Sequence, residues 1–251
     1  MSELLPAIFE HTKLRPGKYQ GFVTHLVPDE TKLEFWGAFY ETLNERFSLN
    51  LPFADADKKV NQYFGYFGKR FHPKNKTPDY FHVGLDIDGA LKAKIFPITR
   101  GVLEYSGFGI IDGKYVMISH PEIKTEDGFT LHSLYLHLRD LKVSFTSYQK
   151  MLREISFNTY PRIEISAETQ IGVMGQTGNA HGHPHLHLQL EFRNEKGDIV
   201  LIDPLQSLGF APGESLTKDI KDISSYEAFL DKHRDDMLKT NLAEFMKNDK
   251  G

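Results

Sequence analysis

The sequence contains no cysteine. Disulfide bonds, thiolate metal sites and a cysteine nucleophile are therefore excluded. Any metal site in this chain must use histidine, aspartate, glutamate or water as its ligands. Long apolar runs are also absent, and no segment approaches the roughly 18 apolar residues that a membrane-spanning helix needs.

Charge of one sign is not concentrated anywhere in the chain. The formal net charge is -4, and acidic and basic residues are mixed along the sequence. We therefore expect no nucleic-acid partner, because such proteins usually carry a basic block. A content of 40% hydrophobic and 25% charged residues is ordinary for a soluble globular protein, and 251 residues suit one sizeable domain with additions.

The N-terminus lacks the features of a secretory signal peptide. It has no basic start, no apolar run of the required length and no small-residue cleavage site. The sequence as written therefore predicts a cytoplasmic protein. A periplasmic or extracellular location would require a leader that has been removed or a non-classical export route.

Hydrophobic patterning predicts a mainly β protein with helices at both ends. Apolar residues at steps of three and four, beginning at Leu33, predict an amphipathic helix over residues 30–47. From about residue 51 to 205, short alternating apolar runs broken by turn residues predict an antiparallel β-sheet of sandwich or barrel-like type. Residues 146–157 look helical and interrupt this region. A capping box at Ser224 opens a predicted C-terminal helix.

The segment HGHPHLHLQLEF, residues 181–192, places four histidines within seven positions at the mouth of a predicted strand. In a strand, alternate side chains share a face. His185 and His187 therefore lie on one face, opposite an apolar face suited to a core. One of the two could bind a metal ion while its neighbour reaches a group bound to that ion.

Two further segments carry histidines near predicted strands. His82 and Asp86 are four residues apart, which is roughly 13 Å along a straight strand, and only a kink near Gly84 would let them share an ion. In SLYLHL, alternation predicts that Tyr135 and His137 face away from the three leucines. These leucines are Leu134, Leu136 and Leu138.

The three segments together predict a metal site of the hydrolytic type. They offer His, Asp and His as ligands and leave spare histidines. Zinc in such sites keeps three protein ligands and one open position, and it makes hydroxide available near neutral pH. Because the sequence has no HExxH helix to provide a glutamate base, the spare histidines would have to perform the acid–base work.

The pattern resembles the lysostaphin-like, or LytM-type, zinc metallopeptidases, which have the duplicated hybrid motif fold. The family's HxxxD motif is matched at residues 82–86, its Y-x-H-L motif at 135–138 and its HxH motif at 185–187. Flanking stretches, which include residues 64–73 and 168–179, agree as well. The resemblance covers roughly residues 60 to 208, with the motifs in the same order.

The resemblance implies a role for each matched residue. His82, Asp86 and His187 would be the zinc ligands, and His137 and His185 would be the catalytic pair. It also implies cleavage of peptide cross-links in peptidoglycan, or of a related short peptide. The resemblance does not assign the general base between the two catalytic histidines.

The resulting domain prediction has three parts. Residues 1–55 form an N-terminal helical extension, 56–208 the peptidase domain and 209–251 a C-terminal helical extension. The chain departs from the family by an insertion at roughly 145–160 and by two extra histidines in the turn before HxH, which we interpret as rim residues. These are His181 and His183.

Three alternatives stay open at this point. The first is a non-catalytic domain of the same fold that binds cell wall or regulates a partner hydrolase, its groove closed by the insertion or a terminal helix. The second is a histidine-rich protein that binds or stores several metal ions. The third is a peptidase that acts on a cytoplasmic peptide.

Overall fold

The computed structural model describes residues 4–15, 25–53, 67–70, 80–88, 92–144, 162–180 and 184–209. Within these ranges the protein is mainly β, which confirms the predicted fold class. Three predicted features lie outside the described residues. They are the C-terminal helix, the insertion at 145–160 and the pair His181 and His183.

Thirteen strands and two α-helices fall within the described ranges. The strands are β1 (Thr12–Leu14), β2 (His25–Pro28), β3 (Gly68–Arg70), β4 (Tyr80–His82), β5 (Leu85–Asp88), β6 (Lys94–Ile95), β7 (Gly101–Gly109), β8 (Gly113–Lys124), β9 (Thr130–Leu141), β10 (Glu164–Ile165), β11 (Gly172–Met174), β12 (His185–Arg193) and β13 (Ile199–Ile202). The helices are α1 (Leu33–Arg46) and α2 (Pro204–Ser207), and a short 3-10 turn covers Phe9–His11.

One 11-stranded sheet contains nearly all of these strands. Its main path runs β1-β2-β13-β12-β9-β8-β7-β10, while β5 pairs with β12 and β11 pairs with β9 and β6. The pairings are antiparallel except for β2 with β13, which is parallel. Strands β3 and β4 form a separate hairpin. The strands β1 and β2 of the N-terminal region therefore belong to the same sheet as the His-rich strand β12.

The predicted N-terminal helix is present as α1. Its buried residues are Trp36, Phe39, Tyr40 and Leu43, and the ring of Phe39 lies 5.8 Å from that of Phe192 on β12. Leu33, in contrast, is 72% exposed and lies outside the buried face of the helix. Among the described residues, no helix has both the length and the apolar character needed to cross a membrane.

Strand β12 is buried on both faces. Its apolar face enters the main core, as predicted, through Leu186, Leu188, Leu190 and Phe192. Its opposite face is polar yet also almost inaccessible to solvent, with His185, His187, Gln189 and Glu191 all at 9% exposure or less. Buried polar groups need partners to offset the loss of hydration. On this face Gln189 donates a hydrogen bond to Glu191, and Nδ1 of His187 is bonded to Asp86, whereas the buried Nε2 of His187 has no hydrogen-bond partner among the described residues.

The predicted facing of β9 is wrong for most of its residues. Tyr135 is completely buried in the main core with Leu138, whereas Leu134 and Leu136 lie beside the polar residues of β12. The reason is a β-bulge in β9. Tyr135 pairs with Val116 of β8 and Leu138 pairs with Lys114, so β9 uses one residue more than β8 between these two pairs. His137 occupies the bulge with a positive φ of 63°, and the inserted residue reverses the alternation.

Candidate metal centre

Three donor atoms converge where β5 meets β12. Nε2 of His82 lies 3.1 Å from Nδ1 of His187, and Nδ1 of His187 lies 2.7 Å from Oδ1 of Asp86. The third side of the triangle, from Nε2 of His82 to Oδ1 of Asp86, is 3.2 Å. The two imidazoles are buried and the carboxylate is nearly so, with 17% of its side chain exposed.

Strand pairing explains how distant parts of the sequence deliver these atoms. Antiparallel pairing of β5 with β12 places Asp86 directly opposite His187, and directly paired residues share a face of a sheet. The chain breaks its extended path at Val83 and Gly84, between β4 and β5. This break brings His82 back over Asp86, so the kink that a shared ion would require is present.

Gly84 is required for space rather than for backbone freedom. A Cβ atom built on it would lie 2.5 Å from Nε2 of His187 and 2.5 Å from the carbonyl oxygen of Leu188. Its φ angle is not in the left-handed region. The His187 ring therefore packs directly on the α-carbon of Gly84, and any larger residue would push that ring away from Asp86.

The Asp86 carboxyl is held in its charged form. Burial raises its pKa, but the charge of His82 and hydrogen bonds from His187 and His82 outweigh burial and hold the pKa well below its usual value. Ionised carboxylates are strong electron-pair donors. The centre therefore combines one negative charge with two imidazoles in a buried place, which favours binding of a cation.

His137 and His185 stand beside this triangle. The ring centroids of His137 and His185 are 4.9 Å apart, and His137 lies 5.9 Å from the ring of His187. Nε2 of His185 is 3.8 Å from Oδ1 of Asp86. His185 and His187 share a face of β12 because they are two residues apart. The bulge in β9 brings His137 to them from the adjacent strand.

The tautomer of His137 follows from its hydrogen bond. Its Nδ1 lies 2.9 Å from the carbonyl oxygen of Thr177, which can only accept, so Nδ1 carries the proton and Nε2 keeps a lone pair. Burial, followed by the proximity of His185 and His187, lowers the pKa of His137 well below its ordinary value. His137 is therefore neutral near pH 7 and able to accept a proton.

A family comparison covers all five of these residues. Residues 80–199 match the model of peptidase family M23. This matched stretch, residues 80–199, is similar to the M23 peptidases, and we refer to it as the M23 domain. No curated protein matches the chain.

The fold of the M23 domain also resembles solved structures. A zinc-containing peptidase from Vibrio cholerae is 21% identical, with a TM-score of 0.47 over 66% of this chain and 41% of that one. The catalytic domain of the antimicrobial peptidase lysostaphin from Staphylococcus simulans is 19% identical, with a TM-score of 0.41 over 60% of this chain and 92% of that one. This chain thus spans about two fifths of the length of the Vibrio cholerae protein.

The donor set of the M23 domain fits a metal ion such as zinc. Imidazole nitrogen and carboxylate oxygen are zinc ligands, and ligands of a tetrahedral zinc lie about 3.3 Å from one another. The three atoms here are separated by 2.7 to 3.2 Å. Among the described residues, only His82, Asp86 and His187 form a group of this kind. Three protein donors are typical of a catalytic rather than a structural zinc site.

The structure brings together all five residues that the sequence singled out. It also shows a contact that the sequence interpretation did not assign, the carbonyl of Thr177 at His137. The signal available in the sequence was the turn Gly175-Gln176-Thr177-Gly178, whose glycines indicate close backbone packing. That turn gave no indication of which residue it would contact.

Proposed function

We propose that the M23 domain is a zinc-dependent metalloendopeptidase that hydrolyses peptide cross-links of peptidoglycan or related short peptides. One observation carries this proposal: the donor triangle of His82, Asp86 and His187 lies within 6 Å, ring to ring, of a neutral histidine with a fixed tautomer. Storage of a metal ion requires ligands but no proton-accepting histidine beside them.

The three donors would hold the zinc ion. When bound, zinc supplies Lewis acidity, which polarises a carbonyl group and makes water acidic enough to act as a nucleophile near neutral pH. The chain's contribution is to hold the ligands rigidly. Asp86 is fixed by pairing with β12, and His187 is fixed by its contact with Gly84.

His137 and His185 would divide the remaining chemistry. His137 presents an unprotonated Nε2, so we assign it the role of general base that takes a proton from water and returns it to the leaving amine. His185, on the same face as His187, would donate a hydrogen bond to the oxyanion that develops on the substrate carbonyl. Both roles need a buried, preorganised site, and the two residues are 7% and 9% exposed.

The substrate class follows from the resemblance to the lysostaphin-like peptidases. A non-catalytic relative that only binds cell wall is the alternative, and it would be expected to have lost ligands or catalytic histidines. All five residues are present here and close together. We therefore favour the enzyme over the binding module.

The first test is release of new amino groups from purified cross-linked peptidoglycan by the zinc-loaded protein. We expect His137→Ala and His185→Ala to lower kcat/KM by about 10² to 10⁴-fold, the usual contribution of acid–base groups, while each variant keeps one zinc per chain. His132→Gln is a matched control, because His132 lies on the same strand as His137 and is bonded to the carbonyl of Thr130.

Each outcome discriminates between the candidate functions. Activity that survives in both alanine variants would eliminate the mechanism. Absence of release by the wild-type protein with one zinc bound would favour another peptide substrate or the binding module. Several zinc ions per chain, with little effect from any single substitution, would favour metal storage.

A further inference from the structure

The orientation of His137 is not a product of regular sheet geometry. His137 has a φ of 63°, in the left-handed region that non-glycine residues seldom adopt, and it sits in the bulge of β9. Such a conformation persists only when the surroundings fix it, and it is often found at functional sites. Groups outside β9 therefore fix this residue.

Two carbonyl groups from different loops hold His137. Its backbone N–H donates to the carbonyl of Asp112 at 2.9 Å, and its Nδ1–H donates to the carbonyl of Thr177 at 2.9 Å. The first bond fixes the backbone and the second fixes the ring. The position of the Thr177 carbonyl therefore decides where the imidazole points and which nitrogen carries the proton.

The hydroxyl group of Thr177 fixes that carbonyl. It accepts a hydrogen bond from the backbone N–H of Lys114 at 2.8 Å and donates one to the carbonyl of Leu138 at 2.8 Å. Lys114 is the second residue of β8, and Leu138 is the residue after His137 on β9. Thr177 is 5% exposed, so both bonds are shielded from water. The side chain thus joins its own loop to both strands that form the bulge.

Close packing leaves Thr177 little room to move. A Cβ built on Gly113 would lie 2.3 Å from Oγ1 of Thr177 and 2.4 Å from its carbonyl oxygen. The turn at Gly113 therefore lies directly against the threonine. The Thr177 carbonyl is thus held in two ways, by packing against Gly113 and by the two hydrogen bonds of the Thr177 hydroxyl. Removal of the hydroxyl would leave only the packing.

We propose that Thr177 is a positioning residue, whose hydroxyl group holds its own carbonyl at Nδ1 of His137 and so keeps Nε2 of His137 unprotonated. This inference rests on the proposed function only for its consequence in catalysis. The tautomer itself can be measured whether or not the protein cleaves peptidoglycan.

The kinetic test uses the zinc-loaded chain of 251 residues. Thr177→Val keeps the shape but removes the hydroxyl, and we expect kcat to fall by about 10 to 100-fold, the usual effect of a residue that orients a site group. KM and zinc content should stay unchanged. Thr177→Ser restores the hydroxyl, and we expect its kcat to be within a few-fold of wild type.

Thr125→Val is the matched control. Thr125 is 1% exposed and lies in the turn that joins β8 to β9, at the end of these strands that is far from His137. Its hydroxyl also bridges two groups, because it accepts a hydrogen bond from the N–H of Phe129 and donates one to Asp127. Loss of this hydroxyl should lower Tm without lowering kcat. A Thr125→Val kcat as low as that of Thr177→Val would show that the effect is only structural and would overturn the proposal.

The second readout is the ¹⁵N NMR signature of His137, identified by its absence in the His137→Ala variant. We expect a single tautomer with Nδ1 protonated in wild type and in Thr177→Ser, and a mixture of tautomers in Thr177→Val. An unchanged single tautomer in Thr177→Val would overturn the proposal. If wild type cleaves no peptide but the tautomer responds as expected, the positioning role stands and the peptidase function fails.

Discussion

At the scale of single residues, the centre depends on side chains that approach one another more closely than ordinary packing permits. Asp86 contacts two imidazoles, and one of them, His187, lies against the bare α-carbon of Gly84. The resemblance to the lysostaphin-like peptidases predicted His82, Asp86 and His187 as metal ligands. It did not show that position 84 must lack a side chain to leave room for the His187 ring. A kink in the chain was a sufficient reason for a glycine between His82 and Asp86.

Gly84→Ala is expected to damage the metal centre. The added methyl group would overlap with the His187 ring and with the Leu188 carbonyl, so the ring must move away from Asp86. We expect zinc affinity, measured by competition with a chelator, to fall by more than about tenfold and the free energy of unfolding of the metal-free protein to fall by about 1–3 kcal/mol.

Gly37→Ala provides the control for this substitution. A Cβ on Gly37 would meet nothing within 4 Å, and the residue lies inside α1, where alanine is favoured over glycine by about 0.5–1 kcal/mol. This variant should bind zinc like wild type and be equally or more stable. Normal zinc affinity in Gly84→Ala would show that the ring can shift without leaving the centre.

At the scale of elements, β8 and β9 show how strand pairing determines the environment of a histidine. His120 on β8 is 1% exposed, with Nδ1 donating to the carbonyl of Arg100 and Nε2 bonded to the hydroxyl of Ser133 on β9. Its role is structural, and it lies outside the donor triangle. The bulge further along β9, in contrast, places His137 beside the donor triangle.

His120 is expected to make stability depend on pH. Burial lowers the pKa of His120 to about 4. The nearby His132 also lowers this pKa, whereas the hydrogen bond to the carbonyl of Arg100 raises it. Between pH 6.5 and about 4 the unfolded chain therefore binds more protons than the folded one, so stability falls as pH falls through this window. The loss attributable to His120 is about 3 kcal/mol, and it is absent above pH 6.5.

The measurement is the free energy of unfolding of wild type and His120→Gln across pH 4 to 7.5, both without metal. Glutamine can still donate and accept hydrogen bonds but does not titrate. We expect the variant's stability to decline less steeply than that of wild type below pH 6.5. Parallel pH profiles for the two proteins would exclude His120 as a cause of the dependence.

At the scale of the whole molecule, the candidate metal centre joins strands that are distant in sequence. His82 and Asp86 precede β6 to β11, His187 follows them, and β2 of the N-terminal region extends the same sheet beyond β13. An ion bound by these residues would therefore connect separate parts of the fold. The predicted boundaries at residues 55 and 208 stay predictions.

Removal of zinc is expected to lower Tm. At a free zinc concentration about 100-fold above Kd, binding adds about 2.7 kcal/mol to stability, which corresponds to roughly 5–10 °C in a protein of this size. Differential scanning fluorimetry with and without a chelator should show this shift in wild type. Asp86→Asn should lose most of it, because the ionised carboxylate is replaced by a neutral amide.

Asp140→Asn is the control for this measurement. Asp140 lies on β9 but its side chain is 52% exposed, 3.9 Å from that of Arg139. This variant should keep the full shift on chelation. An equal shift in Asp86→Asn would mean that the stabilising ion binds elsewhere.

The sequence by itself determined the chemistry that is available: no thiolates, a set of histidines and one aspartate at strand positions, and a mainly β chain with an N-terminal helix. These properties follow from local composition and periodicity, which the sequence displays directly. It also showed that His82 and Asp86 could share an ion only through a kink near Gly84, because a straight strand would hold them roughly 13 Å apart.

Only the tertiary structure decided how those residues face one another. The alternation of SLYLHL predicted the wrong face for Tyr135, because the bulge depends on how many residues of β8 pair with β9. The contact of Thr177 with His137 spans 40 positions and depends on a turn that packs against Gly113. Such features arise from pairing between distant segments, and a local pattern carries no information about which partner each segment will meet.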